Sequence, residues 1–193
     1  MKKFIIVLSL LLLPILSIAG EKTSVATDAV KTVKTMVMPF GDKTSVADAN
    51  ALWQEMVKQG LAGKDSKISK LYKGTPPHGA ILDTVEKDVT VNGRTGKVVI
   101  KKNYGGKEIS NEKITSDPAK WLKAITVMFK REKGYDDENQ NWFYAKYKAD
   151  GSLHFNPKDP KKTPLAGRVA KGMPQGCIAC HKAAAGGNYL FTR

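Results

Sequence analysis

The chain has 193 residues, a formal net charge of +14 and 41% hydrophobic residues, which fits one globular domain with a tail and excludes wholesale disorder. Two cysteines cannot build a disulfide scaffold, and no repeat recurs along the chain. The lysines are scattered without basic–aromatic interleaving, so the basic excess describes a solvated surface rather than a nucleic-acid-binding one.

Lys2 and Lys3 precede an uncharged, mostly apolar run from Phe4 to Ile18, and Ser17-Ile18-Ala19 supplies small residues at the cleavage positions. This is the order of an export signal. A retained anchor is the competing reading, but the run is about 15 residues against the roughly 20 a span requires. Pro14 also interrupts it, and no cysteine marks a lipoprotein site. The expectation is a signal peptide over 1–19, removal after Ala19, and a periplasmic or secreted product with no stable membrane insertion. Residues 20–44 show no clean period and read as an N-terminal arm, leaving 45–193 as the folded domain.

A helix is predicted first. Ser45 with Asp48 three residues on resembles a capping box, and Val46, Ala49, Leu52, Trp53, Met56 and Val57 recur at helical spacing up to Gly60. Lys73 to Gly79 (KGTPPHG) can only be a turn or loop. Strand signals follow. Ala80-Ile81-Leu82 is apolar, Val89-Thr90-Val91 alternates, Asn92-Gly93 is a favoured two-residue hairpin turn, and Val98-Val99-Ile100 comes after it. Ala124 to Lys130 alternates, with Ile125, Val127 and Phe129 on one face; Asn141 to Tyr147 reads as a further strand. Asp150-Gly151 turns into a strand over Ser152–Phe155, residues 156–164 form a solvent loop, and a short helix begins near Ala166. The sum is an α+β domain, an antiparallel sheet with a few packed helices.

Chemistry concentrates at Cys177-Ile178-Ala179-Cys180-His181, a C-x-x-C-H motif. Two thiols at this spacing can add to the two vinyl groups of one haem, while the adjoining histidine supplies an axial nitrogen to its iron. Three other readings compete. A structural zinc ion needs four ligands, and the adjacent Cys180 and His181 converge poorly on a small tetrahedral ion. A thioredoxin-like dithiol normally opens a helix after a strand in a βαβ unit, which this pattern lacks. A plain disulfide leaves His181 unexplained. The motif lies near the C-terminus, as in cytochromes c-prime, whose iron is left open on its far side.

From Trp53 to Arg193 the chain resembles the cytochrome P-460 family, which includes the β-sheet cytochromes c-prime-beta. The resemblance rests on Lys73 to Ala80, Lys101 to Tyr104, Ala124 to Phe129 and Asn141 to Tyr147, and most specifically on Gly176 to His181 followed by Asn188 to Thr192. It implies one covalent haem c, a five-coordinate iron held by His181, and a homodimer. It also implies either hydroxylamine oxidation, with electrons leaving to a partner cytochrome, or nitric oxide binding.

In the P-460 enzymes a strand lysine bonds to the porphyrin edge. Gly96-Lys97-Val98-Val99-Ile100-Lys101 resembles that context and nominates Lys101; the alternative is a lysine pointing at water. Two departures from the family stand out. Asp83 takes the place of an arginine near the iron, and Met173-Pro174-Gln175-Gly176 supplies no acid before the motif. Asp83 is the candidate proton acceptor. His78 is expected as a polar turn residue, with an approach to the open iron face as the alternative; His154 is expected as exposed, and Phe129, Trp142, Phe143 and Tyr144 as core aromatics, one or two of them also lining the distal cavity. Met173 is expected to line the pocket; as an axial ligand it would instead make the protein a six-coordinate His/Met electron carrier.

Overall fold

The computed structural model describes residues 39–191. The expected signal peptide over 1–19, and the arm up to residue 38, lie outside the described residues.

Helix α1, Lys43–Lys58, buries Ala49, Leu52, Trp53 and Met56 along one stripe. Its N-cap is Asp42 rather than Ser45: the Asp42 carboxylate accepts from the Ser45 amide at 2.9 Å and from the Ser45 hydroxyl at 2.7 Å. Asp48, expected to close a capping box, instead holds Arg131 at 2.7 Å and Arg94 at 3.0 Å. The end of the expected arm is structured as well. Phe40 is buried and bridges Gly167.

Six strands follow: β1 (Leu71–Lys73), β2 (Ile81–Val91), β3 (Arg94–Tyr104), β4 (Leu122–Lys130), β5 (Trp142–Tyr147) and β6 (Ala166–Gly167). They form one antiparallel sheet in sequence order. Two short helices, α2 (Asn111–Ser116) and α3 (Pro118–Trp121), connect β3 to β4, and a last helix, α4, spans Cys177–Lys182. The α+β expectation holds.

The β2–β3 hairpin turns on Asn92 (φ 50°) and Gly93 (φ 76°), the left-handed pair that a tight two-residue turn needs. That turn pins the register outward from Val91↔Arg94 to Ile81↔Tyr104. Residues paired across strands share a face, and neighbours along a strand alternate. One face therefore carries Ile100, Ile125, Val127 and Phe143 against Leu52 and Met56 of α1. Tyr147 on this face donates to the Ala49 carbonyl at 2.8 Å. The other face carries Val99, Met128, Trp142 and Tyr144 against Val169, Ile178 and Tyr189 of the C-terminal segment. Burying each large apolar side chain contributes about 1.5–3 kcal/mol, so both layers hold the sheet in place.

Two expectations change. Ser152–Phe155 forms isolated bridges, Tyr147↔Leu153 and Phe155↔Pro164, rather than a strand. The predicted helix after Ala166 is instead β6 followed by turns. Gly167, Gly172 and Gly176 all take positive φ there, and Pro174 lacks an amide hydrogen, so helical hydrogen bonding cannot run through. Among the described residues, no helix is long and apolar enough to cross a membrane.

Candidate functional site

Helix α4 begins where Gly176 (φ 128°) turns the chain against Ala170; a Cβ on Gly176 would lie 2.3 Å from the Ala170 Cβ. Ile178 anchors the helix in the C-terminal cluster. Cys177 and Cys180 lie about one helical turn apart, and both thiols are free. Burial pushes the Cys177 thiol up to about 11, whereas Cys180 is exposed.

His181 ends the motif and faces the sheet. Its Nδ1 lies 2.7 Å from the Tyr189 carbonyl. A carbonyl only accepts, so Nδ1 carries the proton and Nε2 keeps its lone pair. Around the ring stand Phe191 at 5.4 Å, Tyr144 at 5.7 Å and His78 at 6.3 Å, centroid to centroid. Burial and the nearby Lys101 charge hold the His181 pKa below its ordinary value.

The register places the expected lysine on this same side. Lys101 pairs with Thr126, and Thr126 with Lys146, one pleat from the Val99, Met128 and Tyr144 row. Asp83 is the correction. It pairs with Lys102, which pairs with Ile125, so it lies on the α1 side of the sheet. There it is fully buried, 3.4 Å from the Lys102 ammonium, and accepts from the Ser69 and Lys70 amides at 3.1 and 3.0 Å. An odd-numbered residue on β2 cannot face the even-numbered pleat without a bulge, and the β2–β3 register has none. The proton acceptor expected at Asp83 is thus behind the sheet.

Met173 and His154 differ from expectation, whereas the four aromatics are core residues as expected, divided between the two faces of the sheet. Met173 is 44% exposed. Phe129 and Phe143 belong to the α1 core, whereas Trp142 and Tyr144 face the C-terminal segment. His154 is half-buried, with a buried Nε2 that has no hydrogen-bond partner among the described residues.

Two groups stand closer to His181 than their expected roles as a core aromatic and a polar turn residue required. The Tyr144 hydroxyl is buried beside His181 with no hydrogen-bond partner among the described residues. His78 reaches the same place from the loop before β2, its Nδ1 2.9 Å from Asn103 Oδ1. Burial, then the Lys101 charge, lowers the His78 pKa to about 4, so the ring is neutral at pH 7. Asn103 lies two residues beyond Lys101 on one strand, and that shared parity was its only signal.

This donor set fits haem better than the alternatives. Nδ1 of His181 is engaged and Nε2 is left for a metal, the arrangement of an axial histidine. An orphaned phenol next to it wants a polar partner that the described residues do not supply. Two unpaired thiols one turn apart suit thioether links, and among the described residues no three His, Cys, Asp or Glu side chains gather as an ion site. In comparisons with known proteins, the family model described as Cytochrome P460 matches residues 53–192. No curated protein and no solved structure gives a significant match.

Proposed function

Because the chain belongs to the cytochrome P460 family, haem proteins of the hydroxylamine-oxidising type, we propose that it is an exported cytochrome carrying one haem c and acting on a small nitrogen species. The single observation that carries this reading is His181, with Nδ1 tied to the Tyr189 carbonyl and Nε2 uncommitted, following two free thiols one turn apart. Haem held there would supply an iron that cycles between ferric and ferrous and accepts a small ligand.

The residues divide the remaining work. Cys177 and Cys180 tether the ring, and His181 supplies the axial nitrogen. Tyr144 and Phe191 set their edges against that imidazole and limit its rotation. Lys101 stands on the same face as the candidate for a bond to the porphyrin edge; left unbonded, its positive charge would favour anionic or electron-rich ligands there. The leader over 1–19 supports export, where covalent haem attachment and a partner cytochrome would be found.

A second reading, capture of nitric oxide without turnover, is favoured by the position of Asp83 behind the sheet. Oxidising hydroxylamine requires proton acceptors as well as an electron sink, and the candidate carboxylate faces the wrong side. The test is to mature the protein with haem, then measure intact mass, absorption spectrum and hydroxylamine-dependent reduction of an electron acceptor. A covalent haem adduct with turnover supports the oxidase; an adduct that binds nitric oxide but reduces nothing supports the binder. A colourless chain of unmodified mass overturns both.

A further inference from the structure

Helix α4 is too short to hold itself. Its six residues, Cys177–Lys182, have no side-chain hydrogen bond at the N-cap, and an isolated helix needs about 12–15 residues to be even marginal in water. Ile178 supplies an apolar anchor, and the rest of the hold comes from the flanks. The hydrogen bonds that tie residues 168–191 to the rest of the domain converge, among the described residues, on one turn, 136–142. On the leading side, the Lys171 ammonium meets the Asp136 carboxylate at 2.5 Å. On the trailing side, Trp142 Nε1 donates to the Asn188 carbonyl at 3.1 Å, and the Tyr189 hydroxyl donates to the Glu138 carbonyl at 3.3 Å.

Asp136 joins the two sides. Its side chain is 0% exposed; one carboxylate oxygen takes Lys171 and the other accepts from Asn139 Nδ2 at 2.9 Å. A carboxylate only accepts, so this bond fixes which way the Asn139 amide points, and its Oδ1 faces the Tyr189 hydroxyl at 3.5 Å. The backbone of Asp136 closes the turn as well. Its amide donates to Asn141 Oδ1 at 2.7 Å, and its carbonyl accepts from the Asn139 and Asn141 amides at 2.9 Å each. We propose that Asp136 is a positioning residue for haem attachment: through one turn it braces both flanks of the motif, so that Cys177, Cys180 and His181 stand in place before the haem arrives. This rests on the haem reading above for what is attached, whereas the bracing is a property of the haem-free chain.

Attachment gains from such a brace. Each thiol adds across one vinyl double bond, sulfur to the inner carbon and hydrogen to the outer, so nothing is oxidised and no product leaves. Both thiols must therefore be free and held together, and both are free. With the flanks fixed, the entropy of ordering the segment is lost during folding rather than during attachment. The two sides differ in strength. Lys171 is 31% exposed, so solvent screens its half of the pair, whereas Trp142 is buried where it meets Asn188.

The test compares Asp136→Ala with Leu52→Ala, which opens a cavity in the α1 core on the other face of the sheet. Urea is adjusted so that both full-length, haem-free variants are equally stable, and iodoacetamide labelling of each cysteine is followed by mass. Asp136→Ala should label Cys177 about tenfold faster than Leu52→Ala, with the exposed Cys180 changed less than about twofold. A merely structural role predicts equal rates. Trp142→Phe keeps the ring but loses the donor to Asn188, and it should also speed Cys177 labelling, which covers an alanine variant that fails to fold. Lys171→Met should speed it less, and adding it to Asp136→Ala should speed it no further. In an exporting host, covalent haem per folded molecule should fall in Asp136→Ala and hold in Leu52→Ala. Equal Cys177 labelling in Asp136→Ala, Trp142→Phe and Leu52→Ala, or a wild type whose Cys177 labels as fast as Cys180, overturns this inference and leaves the proposed function standing. A wild type that never acquires haem overturns the proposed function and, with it, the role in attachment.

Discussion

His181 donates to the carbonyl of Tyr189, eight residues further along, across 2.7 Å, so the chain orients its own motif histidine with its own tail. Tyr189 is buried, takes a φ of 66°, and its hydroxyl donates to the Glu138 carbonyl at 3.3 Å. Tyr189→Ala should destabilise the fold by about 3–5 kcal/mol, as other buried aromatic truncations do. It should also loosen the carbonyl that makes His181 more basic. In the haem-loaded protein the reduction potential should then rise, because a less basic axial ligand stabilises the ferric state less. Tyr189→Phe keeps the packing and should cost about 1 kcal/mol or less with the potential unmoved. Equal potentials in wild type and Tyr189→Ala would show that this hydrogen bond does not tune the ligand.

Asp83 and Lys102 form a buried ion pair, with side chains 0% and 3% exposed. Removing one partner strands a charge in the interior, so Asp83→Ala should cost about 3–5 kcal/mol in urea unfolding. Replacing both, as in Asp83→Leu with Lys102→Met, should recover most of that loss. Haem attachment and ligand binding per folded molecule should be unchanged in either variant, since both residues lie behind the sheet. A selective loss of turnover in stably folded Asp83→Leu/Lys102→Met would return Asp83 to the chemistry.

The opposite placements of Asp83 and Lys101 were within reach of the sequence. Counting outward from the Asn92-Gly93 turn puts Asp83 opposite Lys102 and Thr84 opposite Lys101, so the two candidates cannot share a face. The charged stretch Glu86-Lys87-Asp88 broke the apolar alternation and hid the fact that one strand runs from Ile81 to Val91. Aromatic alternation in β5 and the α1 stripe were legible because each follows a single period. The meeting of His78, Asn103 and His181 was not legible. It depends on a loop between β1 and β2 and on a C-terminal segment folding back over the sheet, neither of which carries a period.

Lys101 stands on the His181 side, and its charge adds to burial, the larger cause, in depressing both histidine pKa values. If it bonds to the porphyrin edge, a proteolytic map of the haem-loaded protein will show its peptide joined to haem in addition to the Cys177–Cys180 peptide. Lys101→Ala should leave the thioether links intact and abolish hydroxylamine oxidation. Unchanged turnover in that variant, with no haem on the lysine peptide in the wild type, would remove Lys101 from the reaction and favour the nitric oxide reading.

The two motif thiols differ before haem is attached, and pH exposes the difference. Thiolate is the reactive form. Cys177 is held up to about 11 by burial, so at pH 8 only about one molecule in a thousand carries its thiolate. Cys180 is exposed and should react with iodoacetamide first in the haem-free protein. Labelling of Cys177 should accelerate about tenfold per pH unit as pH rises towards 11. The same shift affects stability. Between its ordinary value of 9.0 and about 11 the unfolded chain releases the Cys177 proton while the folded chain retains it. Folding therefore loses stability as pH rises through that window, and Cys177→Ser should flatten the loss. Mass spectrometry of partially labelled protein separates the two sites. Equal labelling at pH 8 would mean that α4 opens readily without haem, so that the site is assembled by the cofactor rather than awaiting it.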